Sequence, residues 1–418
     1  MNFFKTSILA GIKTIVTMTL GLLTNKFLAL FIGSEGFAVV GQLKDFLKIG
    51  LSIGQLGFDR GIVKYTAEFK DTPEKLKKYL STIFKSQLVL STVIAILVII
   101  FKDFLSYYLA DLSNYNNYFV LLGLSIVPMV LFTSGMSVLN GLHDIKRFTY
   151  IAIIANILGS GSALMLIYYF GLTGVIINLA LIQIYNILVF LGFVVVKPFK
   201  LDWFKEKIQK REFNQLTKYS IMSIVGTLTL SLTLIAIRKY LNYQFSIEYA
   251  GYWEALWRLS MIFVTVLTSA FGFYLLPTFS KLNARHLKKE IFKIWKITIP
   301  ISIISGVLLI ILRDLAINLV YTEEFLIISG LMVFQICGDI IKINSWVLGN
   351  LILAKTYVKT YVTVQIGWSL IFFTLSILFT QKYGFVGIAI AYLISYIIHF
   401  LFMNIYFRKL LWQKSIRV

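Results

Sequence analysis

The chain has 418 residues, of which 58% are hydrophobic and only 14% are charged. A soluble globular domain has about 25% charged residues, so this composition excludes a water-soluble fold. On a soluble chain, the net charge of +21 would suggest a nucleic-acid partner. Here the cations lie mostly between hydrophobic segments, where they are topology signals that face anionic membrane lipids, and we expect no nucleic acid.

Hydrophobic segments follow one another along the whole chain. A transmembrane helix needs roughly 20 apolar residues to cross the bilayer core, and several charge-free windows are long enough. Backbone groups in lipid must bond within a helix or a closed barrel, and the alternating pattern of a barrel is not evident. The sequence therefore predicts an all-α polytopic membrane protein with about twelve transmembrane helices. These spans cover residues 8–32, 38–63, 81–101, 117–140, 148–169, 173–196, 216–240, 250–276, 291–312, 325–350, 356–380 and 384–407.

The positive charges between the spans are distributed unevenly. One set of alternating connections is rich in Lys and Arg, and the other holds only Lys102, Arg238, Lys239, Arg313 and Lys382. By the positive-inside rule, this asymmetry predicts a multi-pass protein of the bacterial inner membrane with both termini in the cytoplasm. Since the longest connections have only about 20 residues, no extramembrane catalytic domain remains, and we do not expect an enzyme.

Short segments recur in the same order in the two halves of the sequence. Residues 25–28 resemble 238–241, residues 101–104 resemble 312–315, and residues 170–175 resemble 383–388. The last pair contains Gly-x-x-Gly motifs, which we interpret as tight turns and not as phosphate-binding loops. The order of the three matches predicts two copies of a six-helix unit.

This repeat divides the chain into two six-helix lobes, residues 1–197 and 214–418, joined by a basic cytoplasmic linker over 198–213. Each lobe has an even number of spans, so the two would be parallel repeats. Transporters built in this way bind substrate between their repeats and work by alternating access. We therefore expect a central lumen lined by the charged spans, with the nearly charge-free fifth, sixth, eleventh and twelfth spans facing lipid.

Ionisable side chains inside the spans are costly, and by default they face a protein interior or a water-filled cavity. The predicted substrate-binding cations of the lumen are Lys26, Lys44, Lys48, Arg60, Arg238, Lys239, Arg258 and Lys342. The acids that we expect either to couple transport to an ion or to pair with these cations are Asp45, Asp59, Glu254 and Asp339.

Two interpretations of the acids on the eighth and tenth spans stay open. Glu254 and Arg258 have the i,i+4 spacing of a helical ion pair, and Asp339 and Lys342 have the i,i+3 spacing. Such pairs neutralise one another without any role in transport. Alternatively, the same acids face the lumen and exchange an ion.

The second span has a stripe of polar and charged side chains instead of a single acid–base pair. At 100° per residue, Lys44, Lys48, Gln55 and Asp59 fall on one stripe of a continuous helix, which favours a cavity lining. Lys13, on the first span, lies nearer to a span end, and we expect its side chain to snorkel to the interface.

The predicted lumen has more cations than acids, and a cationic cavity concentrates anions. Lys and Arg are the usual partners of phosphate oxygens, so an isoprenoid pyrophosphate or an acidic sugar is a suitable cargo. The three histidines are scattered without metal-ligand spacing, and no P-loop is present. We therefore expect no metal, no cofactor and no nucleotide hydrolysis.

Several segments in both halves carry a resemblance to a known family. They are 61–65 with 71–73 and 76–78, 238–239, 274–281, 312–314, 335–342 and 353–355. Together they resemble the Wzx-type O-antigen flippases, in the polysaccharide transporter branch of the multidrug/oligosaccharidyl-lipid/polysaccharide (MOP) superfamily, and among these the flippases for the lipid III intermediate of enterobacterial common antigen.

The resemblance implies two six-helix lobes, a cationic lumen and a cargo of undecaprenyl-pyrophosphate-linked oligosaccharide, moved from the cytoplasmic to the periplasmic leaflet with coupling to an ion gradient. It implies a polysaccharide polymerase and a chain-length regulator as partners, besides membrane lipids. The chain is richer in Lys, Ile, Phe and Tyr than the enterobacterial pattern, so lipid III itself is not carried over as substrate.

Two competing functions stay open from the sequence. A cation-coupled multidrug exporter of the same superfamily would need acidic cavity walls, whereas cations predominate here. A membrane polysaccharide polymerase or ligase would need a long periplasmic loop, and the predicted connections are short.

Overall fold

The computed structural model describes residues 3–110, 115–194, 206 and 210–413. The described residues form α-helices with short connections and no strand, which confirms the all-α prediction. The chain divides into two compact units, Met1–Ser231 and Leu232–Val418. The predicted linker 198–213 lies mostly outside the described residues, and the lobe bounds 1–197 and 214–418 stay predictions.

The first unit consists of long, apolar helices and two short amphipathic ones. Its helices are α1 (Phe3–Gly54), α2 (Asp59–Phe69), α3 (Pro73–Ile100), α4 (Lys102–Ala110), α5 (Asn116–Gly141), α6 (Ile145–Val194) and the first part of α7 (Lys210–Gln244). Its buried cluster around the end of α1 includes Phe58, Ile62, Tyr79, Ile83 and Val138, which come from α2, α3, α5 and the turn before α2.

The second unit begins within α7 and has the same all-helical character. Its further helices are α8 (Ile247–Lys281), α9 (Ala284–Ile311), α10 (Arg313–Val320), α11 (Ser329–Ala354), α12 (Val358–Tyr383), α13 (Gly387–Tyr406) and α14 (Arg408–Leu411). One of its buried clusters packs Leu275, Phe279, Trp295, Leu348 and Met403 from four of these helices.

Two glycines reverse the chain with almost no loop. Gly171 has φ +53° and Gly384 has φ +63°, a left-handed conformation that favours glycine. The Ser162 hydroxyl donates to Asn178 Oδ1 at 2.6 Å across the first reversal, so the two arms of α6 are antiparallel neighbours. The predicted tight turns at both Gly-x-x-Gly motifs are therefore confirmed.

Further local features agree between the two units. The second glycine of each motif, Gly174 or Gly387, lies so close to a preceding backbone carbonyl that a Cβ atom would clash with it. Phe101 (φ −95°, ψ 19°) and Leu312 (φ −93°, ψ 14°) cap their helices in the same conformation, and each is followed by a short helix. These matches support the predicted six-helix repeat.

The number of membrane crossings follows from helix length. Among the described residues, eight helices are long and apolar enough to span a membrane, or nine with the bent α8. Three of them, Gly11–Gly54, Ile145–Val194 and Val358–Tyr406, have 44, 50 and 49 residues. Since one crossing takes roughly 20 residues, each of these is long enough for two. The total of twelve spans stays a prediction that these lengths support.

The predicted second span, residues 38–63, is wrong at its C-terminal end. Helix α1 ends at Gly54, and a turn with positive φ at Leu56 and Gly57 precedes α2. A Cβ atom on Gly57 would lie 2.6 Å from the Ser220 carbonyl oxygen, so the close approach of α7 requires glycine here. Asp59 therefore begins a separate helix.

Glu206 is the one linker residue between 195 and 209 that the structure describes. Its carbonyl oxygen accepts hydrogen bonds from Ser81 Oγ at 2.7 Å and Lys85 Nζ at 2.8 Å. Its carboxylate forms an ion pair with Lys77 at 3.0 Å. This part of the linker is thus bound to the N-terminal half of α3.

Candidate functional site

The second unit buries an ion-pair cluster that bridges α7 and α8. Glu254 Oε2 accepts a hydrogen bond from Arg238 Nη1 at 2.6 Å, and Glu254 Oε1 accepts one from Arg258 Nε at 2.7 Å. Arg238 is only 1% exposed, and Glu254 is 5% exposed. One carboxylate therefore binds two guanidinium groups in a setting from which water is largely excluded.

The sequence predicted half of this cluster. The i,i+4 pair of Glu254 with Arg258 is confirmed. The longer contact with Arg238 was not predicted, because it depends on how α7 packs against α8. Lys239, the next residue on α7, is half-buried.

A second buried cluster surrounds Asp339 on α11. Its carboxylate accepts hydrogen bonds from Ser260 of α8 and Tyr392 of α13, each at 2.6 Å. Gln335 extends the network by donating to the Ser260 hydroxyl at 3.0 Å. Asp339 is fully buried, so these bonds offset the cost of removing the carboxyl group from water.

Lys342 reaches this carboxylate only through a tyrosine. Its Nζ atom lies 3.2 Å from the Tyr392 hydroxyl, and the described part of the chain has no direct ion pair between Lys342 and Asp339. The same Nζ atom lies 5.1 Å from the centroid of Trp257 and 5.4 Å from that of Tyr396. Aromatic faces attract a cation at such distances, so they take part of the role of a counter-ion.

The aromatic partners of Lys342 include a residue of the predicted twelfth span. This span is almost free of charge and exposes Leu401 and Ile405, yet its Tyr392 on α13 is fully buried. That the span faces lipid stays a prediction. Because the tyrosine side chain is neutral, the charge pattern of the sequence did not indicate a polar contact at this position. Only the helical spacing of Tyr392 and Tyr396 could have indicated a polar face on this span.

The charged side chains predicted for the site in the first unit are more exposed than those of the two buried clusters. On α1, Lys44 and Lys48 are exposed, and Lys26 is half-buried. Lys48 forms an ion pair at 2.9 Å with Asp45, which is 2% exposed. The lysine side chain itself remains 58% exposed, so its ammonium group stays accessible while it neutralises a buried acid.

Asp59 and Arg60 lie on α2 rather than on the helix of Lys44. Asp59 accepts a hydrogen bond from Ser223 of α7 at 2.8 Å and occupies the first turn of α2, where a negative charge is favourable. Arg60 is exposed. The predicted single stripe from Lys44 to Asp59 is therefore wrong, because the helix is broken and Gln55 is buried against Ser134.

No metal centre forms among the residues that the structure describes, since no three His, Cys, Asp or Glu side chains come close enough. The site candidates thus separate into accessible cations in the first unit and bonded, buried charges in the second.

A model of the family described as polysaccharide biosynthesis protein matches residues 4–283 of the chain. The chain belongs to this family. This match covers all but the first three residues of the first unit and the part of the second that carries Arg238, Glu254 and Arg258. The resemblance drawn from the sequence motifs is thereby confirmed at the level of the family.

A curated relative extends the similarity to almost the full length. The lipid III flippase of Escherichia coli (strain K12) is 26% identical over 412 residues, which cover 96% of this chain and 97% of the relative.

Solved structures agree on the fold. The lipid II flippase MurJ in an inward closed conformation matches with a TM-score of 0.75 at 17% identity, covering 96% of this chain and 87% of MurJ. A multidrug resistance MATE family transporter of the MOP superfamily, inward-facing, matches with a TM-score of 0.74 at 16% identity, covering 96% and 98%. The chain is thus a multi-pass membrane protein with the fold of MOP-superfamily transporters.

Proposed function

We propose that this protein is a flippase that moves an undecaprenyl-pyrophosphate-linked oligosaccharide, a repeat unit of O-antigen or a related surface polysaccharide, from the cytoplasmic to the periplasmic leaflet. The observation that carries the proposal is the similarity to a lipid III flippase over 96% of the chain. The fold agrees with a transporter that works by alternating access, and it provides intramembrane cations for an anionic cargo.

The proposed cargo-binding cations include residues of each unit. We assign phosphate binding to Lys26, Lys44, Lys48, Arg60, Arg238, Lys239, Arg258 and Lys342. The exposed members, Lys44, Lys48 and Arg60, are accessible to a headgroup as they stand. The Arg238 guanidinium is buried on Glu254, so it can meet cargo only in a conformation that opens this cluster.

The proposed coupling to an ion gradient rests on the acids of the second unit. Asp339 is enclosed by hydroxyl donors, and Glu254 is shared by two arginines. A change in the charge of either carboxyl group would rearrange its partners, and such bistable charge clusters are a usual basis of switching. Asp45 and Asp59 in the first unit are the further candidates.

The remaining proposals concern the membrane topology of the protein, the movement of its lobes and its partners. We propose that both termini lie in the cytoplasm, that the two six-helix lobes move as units, and that a polymerase and a chain-length regulator receive the flipped cargo. No catalytic role is proposed, since the relatives named above are flippases and transporters.

The multidrug exporter is the second candidate, because a MATE transporter has the same fold. Similarity at 16% identity concerns the fold alone. The proposed site has eight cations and four acids, a balance that favours anionic cargo over the organic cations that many exporters carry.

The test is transport in two settings. The gene is placed in a strain that lacks its own O-antigen flippase, and surface polysaccharide is measured by blot. In parallel, purified protein in vesicles is given the lipid-linked glycan of its own source organism, and its accessibility at the outer surface is followed. Rescue or vesicle flipping supports the proposal. Failure in both, together with raised drug tolerance in cells, would replace it with the exporter.

A further inference from the structure

A cavity of about 420 Å³ lies within the first unit, between α1, α5 and both arms of α6. Small-molecule sites commonly measure ~300–1,000 Å³, so its size suits a ligand. The polar residues of its lining are Lys13, Thr133, Ser137, Asn140, Asn156 and Asn186. None of them belongs to the cargo site proposed above.

Lys13 is the only cation of this lining. Its Nζ atom lies 4.3 Å from the centroid of the Phe148 ring, which forms part of the cavity wall. No described carboxylate forms an ion pair with it. A half-buried ammonium group in a membrane helix is costly without an anion, and such a residue marks a functional site by default.

The neutral polar groups complete the chemistry of the cavity. The Asn156 amide donates to Thr17 Oγ1 at 3.1 Å and to the Ala152 carbonyl at 2.8 Å, which fixes its orientation. Asn140 and Asn186 add two further amide groups to the lining. The Lys13 ammonium group and these two amides can donate hydrogen bonds to a phosphate. The lining hydroxyls and Asn156 already donate to protein oxygens, so they offer acceptors to hydroxyl groups next to the phosphate.

The rest of the lining is apolar. It includes Phe132, Met136 and Ile182, which could contact a hydrocarbon chain but not a free inorganic ion. Asn140 lies one residue before the end of α5, and Phe148 lies three residues after the start of α6. The cavity thus extends from the interior of these helices to the short connection between them.

We propose that this cavity binds the phosphate group of a lipid, with Lys13 as its counter-charge and the apolar wall against the first part of its chain. The proposal rests on the proposed flippase function only for the source of that lipid. The phosphate belongs either to the isoprenoid pyrophosphate of the cargo or to a membrane phospholipid, and the chemistry of recognition is the same.

Binding to the purified full-length protein in detergent tests the proposal. Farnesyl pyrophosphate and dihexanoyl phosphatidic acid serve as the isoprenoid and phospholipid probes, and affinity is measured by microscale thermophoresis. Lys13→Met is expected to weaken binding by about ten-fold or more, as for the loss of a charge-assisted hydrogen bond. Lys13→Arg should retain most of the affinity.

Lys382→Met is the matched control, because Lys382 also lies over an aromatic ring, 5.3 Å from the centroid of Tyr383, but on an exposed helix end. Its affinity should equal that of the unchanged protein. If Lys13→Met does not fold, Ser137→Phe fills the cavity without removing the charge, and it must weaken binding too.

The pattern of binding also identifies the source of the lipid. Tighter binding of farnesyl pyrophosphate assigns the cavity to cargo, and equal or tighter binding of phosphatidic acid assigns it to a membrane lipid; both support a lipid-phosphate site. Absence of binding by both probes, or equal affinity in Lys13→Met, overturns it. Since vesicle flipping is measured separately, its failure would affect the flippase function and not this site.

Discussion

The two units carry similar ionisable side chains but enclose them to different degrees. In the first unit, Lys44 and Arg60 are exposed, and Lys48 is 58% exposed even though it pairs with Asp45. In the second, Arg238 and Asp339 are almost completely enclosed by hydrogen-bond partners. An ionisable side chain of a membrane protein can thus stay accessible or be enclosed by packed helices, and its residue type does not decide which.

The difference lies in the number of helices that converge on each charge. Asp339 of α11 receives donors from α8 and α13, so its carboxylate depends on three helices being in register. Lys48 pairs within its own helix, so helix movement leaves that pair intact. We therefore expect substitutions in the second unit to affect stability, and exposed cations of the first unit to affect transport alone.

Glu254→Ala is expected to have the largest effect on stability. It removes the carboxylate that two guanidinium groups share, and breaking a buried ion pair costs on the order of 3–5 kcal/mol. Arg238→Ala should cost less, because Glu254 keeps its bond to Arg258. Thermal unfolding in detergent, followed by tryptophan fluorescence, measures both variants. An equal or larger loss in Arg238→Ala would contradict the shared role of Glu254.

Tyr392→Phe tests the second cluster and should have an intermediate effect. The variant keeps the ring but loses the hydroxyl group that donates to Asp339 and lies beside Lys342. A hydrogen bond to a charged group contributes roughly 1.5–3 kcal/mol, so a loss of that size is expected. Tyr383→Phe on an exposed helix end is the control, and its unfolding temperature should not change. If both variants unfold at the same temperature as the unchanged protein, the Tyr392 hydroxyl group does not stabilise the fold.

Arg60→Gln should leave stability almost unchanged, within about 0.5 kcal/mol, because its side chain is exposed. If the exposed cations of the first unit bind cargo, the same variant lowers glycan export in the complementation assay. Lys382→Gln removes an exposed cation outside the proposed site and should export normally. Normal export by both variants would remove Arg60 from the proposed cargo site.

The smallest effect is expected at Glu206, outside the membrane spans. The hydrogen bond and charge of Lys77 lower the pKa of the Glu206 carboxyl group below its usual value. A lowered folded-state pKa means that the contribution of this ion pair is present above the unfolded-state pKa and is lost as the pH falls through the folded-state pKa.

Carbon-13 NMR of carboxyl-labelled glutamate measures this titration. Lys77→Met should raise the pKa of Glu206 towards its usual value, whereas Lys75→Met, at an exposed site of the same helix, should not. An unchanged titration in Lys77→Met would show that the linker is bound to α3 through its backbone bonds alone.

The predictions that succeeded depend on short-range rules. The pair of Glu254 with Arg258 follows from helical spacing, and the turns at Gly171 and Gly384 follow from the Gly-x-x-Gly motif. The helical class follows from hydrophobicity, since lipid leaves the backbone few alternatives.

The features that the sequence did not predict depend on long-range packing. The break after Gly54 is set by the approach of α7 to Gly57, a contact between residues more than 160 positions apart. The buried role of Tyr392 is set by Asp339 and Lys342 on another helix. Neither contact leaves a periodic signal in the sequence, because each joins one residue to a distant one.

The glycine reversals have a practical consequence for experiments that map which side of the membrane each segment faces. At Gly174 and Gly387, backbone packs directly on backbone, with no room even for a methyl group. Reporter enzymes or epitope tags inserted between 171 and 174, or between 384 and 387, would force the paired arms apart and report on a damaged protein. Single cysteines on the polar side of the preceding arm, labelled with a small reagent, would report the orientation without disturbing this packing.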